Sequence, residues 1–211
     1  MSCFGLEAKV AYLLQENSSK GDECVTIRKV FYRLAQEPII YSYWNHLRQS
    51  PLAVSDMLSL ASMLNGAAVT CRLNEMTSFL GADDGHLLYE TVDQCKSWSR
   101  DIADLDDLPG DPIKKALYRF ARIIMAHPFT DANGRFARAA LQGGLGRYGR
   151  IATPCLALAP TFYWKAAEIR NALIDLSDSG AWETYFSRMG EILDRALVCV
   201  GQLTIGRETN A

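Results

Sequence analysis

Residues 127–138 constrain this chain more than any other segment. They read His-Pro-Phe-Thr-Asp-Ala-Asn-Gly-Arg-Phe-Ala-Arg and combine an imidazole, a carboxylate, an amide and two guanidinium groups. Pro128 disfavours helical backbone at the residue before it, so an apolar helix arriving from upstream should end at His127. The polar turn that follows should lead into a second helix that begins near Asn133. The segment predicts a helix, a tight loop and another helix.

The start of this second helix suits a phosphate group. Helix N-termini offer unpaired backbone N–H groups and the positive end of the helix dipole. The small residues Ala132 and Gly134 would let an anion approach that backbone. Arg135 and Arg138 are three residues apart and share a helix face. Two guanidinium groups on one face could grip terminal phosphates in a fork geometry.

The other polar residues of the segment fit the same site. Asp131 is a hard oxygen ligand, placed to hold a Mg²⁺ ion that bridges a di- or triphosphate. Asn133 could hydrogen-bond a phosphate oxygen, and we include Thr130 in this nucleotide-binding set. His127 would lie at the rim as a general base near neutral pH. The dipole at the end of the first helix would favour its imidazolium form. We interpret Phe129 as a core anchor.

Each of these features has a structural explanation when it is taken alone. A histidine before a proline can end a helix, Asp-Ala-Asn-Gly can be a simple turn, and two arginines can form a solvated face. A structural turn does not require this combination at this spacing. The joint pattern therefore favours a chemical site.

The pattern His-Pro-Phe-x-Asp-x-Asn-Gly-Arg-x-x-Arg resembles the signature of the Fic (filamentation induced by cAMP) family. Its members mostly transfer AMP from ATP to a hydroxyl side chain of a target protein. The family usually has glycine at the position of Ala132, and the Doc-like branch, which phosphorylates its target, shares the substitution found here. That branch has lysine at the position of Gly134 and lacks the arginine that is Arg138 here. The resemblance therefore implies the nucleotide orientation used for AMP transfer.

The resemblance implies a mostly α-helical fold, with a helix-loop-helix active site and a small β-hairpin flap. We predict one compact domain, in which N-terminal helices in residues 1–65 pack on a catalytic core at 66–211. The flap would span about 67–90, because residues 69–71 and 87–89 have strand character. In Fic-like proteins such a flap holds the target segment as an added strand. An irregular connector is the alternative.

Capping and breaking residues predict the other helix boundaries. A capping box should open one helix, and apolar spacing extends that helix to Ile102. The predicted starts are Ser50-Pro51, Thr91, Asp111-Pro112, Thr161 and Trp182, and the predicted ends are Gly66, Gly143-Gly144 and Ser179-Gly180. Tyr163 and Trp164 are either adenine neighbours or, more in keeping with aromatic residues on helices, core residues.

The composition excludes several classes of protein. A net charge of −2 and a pI near 5.9 give no sign of nucleic acid or an anionic membrane as a partner. Six cysteines without CxxC pairs suggest neither a zinc site nor a disulfide framework. No apolar run reaches the length of a membrane span, and the N-terminus lacks the order of a signal peptide. We therefore expect a cytoplasmic protein, with export by another route left open.

We thus predict an enzyme that takes ATP as substrate and Mg²⁺ as cofactor, and that transfers AMP to a Tyr, Ser or Thr hydroxyl of a partner protein. Two alternatives stay open. The same fold could transfer UMP, phosphate or phosphocholine, or the chain could be a nucleotide-binding or interaction module without turnover.

Regulation by an inhibitory helix is a further hypothesis. Many Fic-like enzymes carry a Ser/Thr-x-x-x-Glu-Gly/Asn helix whose glutamate pairs with the last motif arginine. Ser187 and Glu191 have this spacing, but Ile192 follows them. Near the N-terminus, Glu16-Asn17 follows Tyr12 where Ser or Thr is expected. If neither serves, the enzyme is either unrestrained or restrained by a separate protein.

Overall fold

The computed structural model describes residues 54–73, 89–103, 105, 109–147 and 165–208, and these residues are mostly α-helical. The helices are α1 (Val54–Asn65), α2 (Val92–Cys95), α3 (Trp98–Ala103), α4 (Pro112–Ala126), α5 (Asn133–Arg147), α6 (Ala166–Ser179) and α7 (Trp182–Glu208). The predictions for the N-terminal helices, for Glu16, for the Ser50-Pro51 and Thr161 starts and for Tyr163 and Trp164 fall outside the described residues.

Helices α4 and α5 form the centre of the fold, and the 127–132 loop joins them. The predicted start of α4 is confirmed: the Asp111 carboxylate accepts the N–H groups of Ile113 and Lys114 at 2.7 and 3.0 Å, and Pro112 occupies the first turn. The helix ends at Ala126, and α5 begins at Asn133, as the sequence predicted. The helix-loop-helix arrangement is therefore present.

The prediction that α5 stops at Gly143-Gly144 is wrong, because the helix continues to Arg147. Both glycines are buried where α5 crosses α4. A Cβ atom added at Gly144 would lie 3.2 Å from the Cβ of Ala116. These glycines therefore permit a close approach of two helices instead of ending one.

The other helices surround this pair. The Thr91–Gln94 capping box opens α2 as predicted, but the expected single helix is divided into α2 and α3 by a turn at residues 96–97. Helix α1 packs on α5 and α3, and α3 packs on α4. Helix α6 ends at Gly180 in the left-handed conformation (φ 65°), and α7 packs on α6 and α4. The predicted end of α6 and start of α7 are thus confirmed.

The hairpin flap stays a prediction, since residues 74–88 lie outside the described part of the chain. In residues 67–73 and 89–90 the structure has no strand, only an isolated antiparallel bridge between Cys71 and Phe129. Among the described residues, no helix combines the length and the apolar character that a bilayer crossing requires.

Candidate active site

His127 is the first residue after α4, and its backbone is left-handed (φ 44°, ψ 55°). The backbone N–H still donates to the carbonyl of Ile123 at 3.0 Å, which completes the last turn. The imidazole stacks on the ring of Tyr89, with 3.9 Å between ring centroids and 24° between ring planes. The turn after α4 and the Tyr89 ring together fix the direction of this side chain.

The electrostatic environment keeps His127 neutral. Burial first, and the nearby Arg72 cation second, lower the pKa of His127 to about 4, whereas Asp131 acts in the opposite direction. We expected the dipole of α4 to favour the imidazolium, whereas desolvation and the nearby positive charge lower the pKa of His127. A neutral imidazole at pH 7 can accept a proton.

Asn133 holds the loop that follows His127. Its Oδ1 accepts the N–H of Phe129 at 2.9 Å, and its Nδ2 donates to the carbonyl of Phe129 at 2.8 Å. Only 3% of Asn133 is exposed. We expected this amide to contact a phosphate, but the structure uses it to close the loop through both of its polar atoms. Phe129 is fully buried against Trp98 and Phe136, which confirms it as a core anchor.

The first residues of the predicted flap segment pair with the same loop. The N–H of Arg72 donates to Pro128 at 2.8 Å, and the N–H of Thr130 donates to Thr70 at 3.0 Å. The hydroxyl of Thr130 also donates to the Thr70 carbonyl at 3.3 Å. The loop is thus held from within by Asn133 and from outside by residues 70–72.

Ala132 lies between this loop and α5 and has a left-handed backbone (φ 67°). That conformation favours glycine, which explains physically why a glycine suits this position. The Ala132 carbonyl accepts the N–H of Phe136 at 2.8 Å and so starts α5. The Ala132 N–H donates to the Asp131 carboxylate at 2.6 Å.

The two motif arginines differ in their contacts. Arg135 donates from Nη2 to the Asn65 side chain at the end of α1 and to the Asp131 carboxylate at 3.2 Å. Its side chain is only 12% exposed. Arg138 lies beside Gly134, where an added Cβ would be 3.4 Å from the Arg138 Nη1 atom. Arg135 is therefore anchored to α1 and Asp131, a contact set that helical spacing did not indicate.

These residues meet at one cavity of about 570 Å³, a size typical of small-molecule sites. The predicted site residues that line it are His127, Thr130, Asp131, Ala132, Asn133, Gly134, Arg135 and Arg138. The opposite wall comes from α6 and α4 and is largely apolar. Its lining residues are Ala166, Ile169, Arg170, Leu173, Phe120 and Ile124.

Arg170 was missed by the sequence reasoning. It lies in α6, next to the inward-facing Ile169, and lines the cavity together with Arg135 and Arg138. Nothing in its local sequence distinguishes it from a solvated arginine. Among the described lining residues there are three guanidinium groups and one carboxylate, that of Asp131. These groups give this part of the cavity an excess of positive charge, which suits a polyphosphate.

Comparison with known proteins agrees with this geometry. Residues 52–143 match the model of the Fic/DOC family. This stretch of the chain is therefore similar to a Fic/DOC domain. Fic/DOC proteins are transferases of nucleotide or other phosphate-containing groups. No curated protein matches the sequence.

Two solved structures with the same family description resemble the chain. A Fic family protein from Desulfovibrio desulfuricans aligns with a TM-score of 0.63 and 17% identity over 92% of this chain. This chain spans only 59% of the length of that protein. A Fic-domain-containing signalling protein from Bacteroides thetaiotaomicron aligns with a TM-score of 0.49 and 18% identity, covering 88% of this chain and 76% of that one. The first likeness establishes that the fold is Fic-like.

The 127–132 loop offers a magnesium ion few protein ligands. Within the described part of the chain, no group of three or more His, Cys, Asp or Glu side chains could enclose a metal. The Asp131 side chain is 64% exposed at the cavity. Mg²⁺ is commonly held by one or two carboxylates together with substrate phosphates. The donor set therefore fits a metal that arrives with a phosphate ligand.

The inhibitory role considered for Glu191 is not supported by its position. Glu191 is absent from the lining of the cavity of about 570 Å³ that contains His127. It lines a separate cavity of about 310 Å³ between α6 and α7, with Lys165, Arg188 and Arg195. The inhibitory role of Glu191 therefore stays a hypothesis.

Proposed function

We propose that this protein is an adenylyltransferase that moves AMP from ATP to a hydroxyl side chain of a target protein. The observation that carries the proposal is the shared cavity. It combines the His127 imidazole, the N-terminus of α5 and three arginines in a space of about 570 Å³. A cationic cavity beside a neutral base suits attack of a hydroxyl on a nucleoside triphosphate.

The reaction assigns a role to each group. His127 takes the proton of the target hydroxyl, whose oxygen forms a bond to the α-phosphorus of ATP. The bond between the α-phosphorus and the bridging oxygen breaks, and pyrophosphate leaves. The N–H groups at the start of α5 hold the phosphates, and Arg135 and Arg138 stabilise the charge that develops on the leaving group. Positioning and charge stabilisation supply most of the rate in such reactions.

Asp131 would hold Mg²⁺ through its exposed carboxylate. The ion would neutralise phosphate charge when it is bound. Because Asp131 also contacts Arg135 and the Ala132 N–H, metal binding would compete with these contacts. The carboxylate is close enough to the start of α5 for metal and phosphate to occupy neighbouring positions.

Two residues support transfer of AMP over transfer of the terminal phosphate. A Cβ atom at position 134 would lie 3.4 Å from the Arg138 Nη1 atom, an ordinary van der Waals contact. The Arg138 guanidinium therefore lies next to the start of α5, where it can contact the outgoing phosphates. Gly134 and Arg138 are thus compatible with each other and with the AMP-transfer orientation.

The experiment uses the full chain, Mg²⁺ and a cell lysate as a source of targets. We expect label from α-labelled ATP to appear on protein, and label from γ-labelled ATP to remain off it. Transfer from the γ position would indicate a kinase, and labelled UTP or CDP-choline would reveal the other group transfers. Mass spectrometry of the modified protein reports both the added mass and the acceptor residue.

His127→Ala is the decisive variant. General-base catalysis contributes roughly 10²- to 10⁴-fold, so transfer should fall by that factor while binding of Mg-ATP persists. Unchanged label transfer by this variant would show that His127 is not the base. Saturable ATP binding without transfer by the parent protein would indicate a binding module.

A further inference from the structure

Arg72 contacts the residues on both sides of His127, although it lies more than fifty positions earlier in the chain. Its Nη2 donates to the carbonyl of Ala126 at 3.0 Å, and its backbone N–H donates to the carbonyl of Pro128 at 2.8 Å. Arg72 is only 5% exposed. The base therefore lies between two contacts of one buried residue from outside the motif, one from its side chain and one from its backbone.

The same Nη2 atom also donates to the carbonyl of Glu90 at 2.6 Å. Glu90 follows Tyr89, whose ring stacks on the imidazole. The N–H of Glu90 donates to Met125 at 3.0 Å, and its carboxylate is bound by Arg122. Residues 89–90 are thus attached to the end of α4 at several points, and Arg72 joins them to the carbonyl just before His127.

These contacts are distinct from the nucleotide cavity, because Arg72 does not line it. Both Nη2 bonds go to neutral carbonyl oxygens, so burying this cation costs more than burying it in an ion pair. A nonpolar residue would fill this position at lower cost. The guanidinium therefore lies near the imidazole and outside the lining of the cavity.

We propose that Arg72 is a positioning residue for His127, which closes Tyr89 onto the imidazole and fixes the ring at the cavity. The inference rests on the proposed function, since it assigns His127 as the base. The lowered pKa of His127, to which Arg72 contributes after burial, agrees with this proximity.

The test compares four variants of the full chain. Arg72→Met removes the side-chain bonds to the carbonyls of Ala126 and Glu90. Arg72→Lys keeps the charge without the fork geometry, and Tyr89→Leu removes the stacked ring. Arg119→Met is the matched control. Arg119 is also buried, at 2% exposed, and donates to a carbonyl, that of Ile102, at 3.1 Å. The control thus removes a similar buried arginine away from the loop.

The first readout is the ring-proton spectrum of His127, assigned by comparison with His127→Gln, since the chain has three histidines. A stacked tyrosine shifts these protons upfield. Tyr89→Leu gives the size of that shift, Arg72→Met should lose most of it, Arg72→Lys part of it, and Arg119→Met none. This readout needs no enzymatic activity, so it tests the inference even if AMP transfer fails.

The second readout separates kcat from KM for ATP. A displacement of the base by about 1 Å can cost up to roughly 10²-fold in rate. We expect kcat to fall at least about tenfold in Arg72→Met, with KM for ATP within about twofold of the parent, and Arg72→Lys to recover part of the loss. If Arg72→Met does not fold, Arg72→Lys decides by the same two readouts.

An unchanged His127 spectrum in a folded Arg72 variant would overturn the inference. Equal losses of kcat in Arg72→Met and Arg119→Met would do so too, since they would show a general effect of stability. A rise in KM for ATP without a fall in kcat would assign Arg72 to nucleotide binding instead.

Discussion

The cavity has two walls that are built in different ways. The motif wall runs from His127 to Arg138 as one continuous stretch, and hydrogen bonds from Asn133 and from residues 70–72 fix its backbone. The opposite wall comes mainly from α6, whose Ile169 and Leu173 are buried and whose Arg170 reaches the cavity. The chemistry is thus encoded locally, whereas the shape of the space around the ligand depends on how distant helices pack.

The largest expected effect comes from Asn133→Ala, which tests whether hydrogen bonds within the motif wall hold its backbone. Asn133→Ala leaves the buried N–H and carbonyl of Phe129 without their present partners, so unfolding free energy should fall by about 2–3 kcal/mol. Asn171→Ala, on an exposed position of the opposite helix, is the control and should change it by less than about 0.5 kcal/mol. Urea denaturation measures both. Equal small effects would mean that the loop does not depend on Asn133.

The sequence could predict the motif wall because the information is local. Pro128 ends α4, Asn133 begins α5, and all eight predicted site residues line the cavity. The use of Asn133 as a loop brace was not predictable, because a free amide and a bonded one have the same sequence pattern. Gly143 and Gly144 suggested a helix end because the contact of Gly144 with Ala116 is invisible in the sequence.

The opposite wall could not be predicted for a related reason. Arg170 sits in an ordinary amphipathic helix, and only the packing of α6 brings it to the cavity. Arg72 and Tyr89 are far from the motif in sequence and meet His127 through loop contacts. The local sequence pattern identifies the candidate reactive side chains. It does not identify side chains that reach the site from other helices and loops.

A pH profile sharpens the picture of the motif wall. The active form of a base is neutral, and the pKa of His127 is lowered from 6.5 to about 4, so neutral imidazole persists well below pH 6. We expect kcat/KM, which reports the free enzyme, to change less than about twofold between pH 7.5 and 5.5. An ordinary histidine would lose roughly tenfold over this range.

The lowered pKa of His127 also affects the stability of the folded state. As the pH falls, His127 is protonated near pH 6.5 in the unfolded chain but only near pH 4 in the folded chain. His127 therefore makes the folded state less stable as the pH falls from 6.5 towards 4. His127→Gln should remove that part of the pH dependence in urea denaturation. An acidic limb of kcat/KM near pH 6.5 would contradict the buried environment described for the imidazole.

The opposite wall is tested by Arg170→Ala. If Arg170 contacts a phosphate or the sugar of the nucleotide, Kd for Mg-ATP should rise about threefold to tenfold, since the contact is partly exposed. Arg188→Ala is the matched control, because Arg188 is on α7, pairs with Asp175 and lines the other cavity. Calorimetric titration measures both. Equal affinities in the two variants would limit nucleotide binding to the motif wall.

The smallest expected effect concerns Ala132, which shares a left-handed backbone with His127 in the motif wall. Ala132→Gly relieves a left-handed alanine (φ 67°), a gain of about 1 kcal/mol, but it also increases the entropy of the unfolded chain. We expect a net stabilisation of at most about 0.5 kcal/mol in urea denaturation. Nucleotide affinity should be unchanged or slightly improved, because the smaller residue opens the start of α5 to phosphate.

Gly180→Ala provides the reverse change at nearly the same backbone angle. Gly180 has φ 65° at the end of α6, and an added Cβ would meet no atom within 4 Å. The substitution should therefore cost about 1 kcal/mol through backbone strain alone. If Ala132→Gly destabilised the protein as Gly180→Ala does, the strain at position 132 would be compensated by contacts of its methyl group. The motif wall would then be adapted to alanine and not merely tolerant of it.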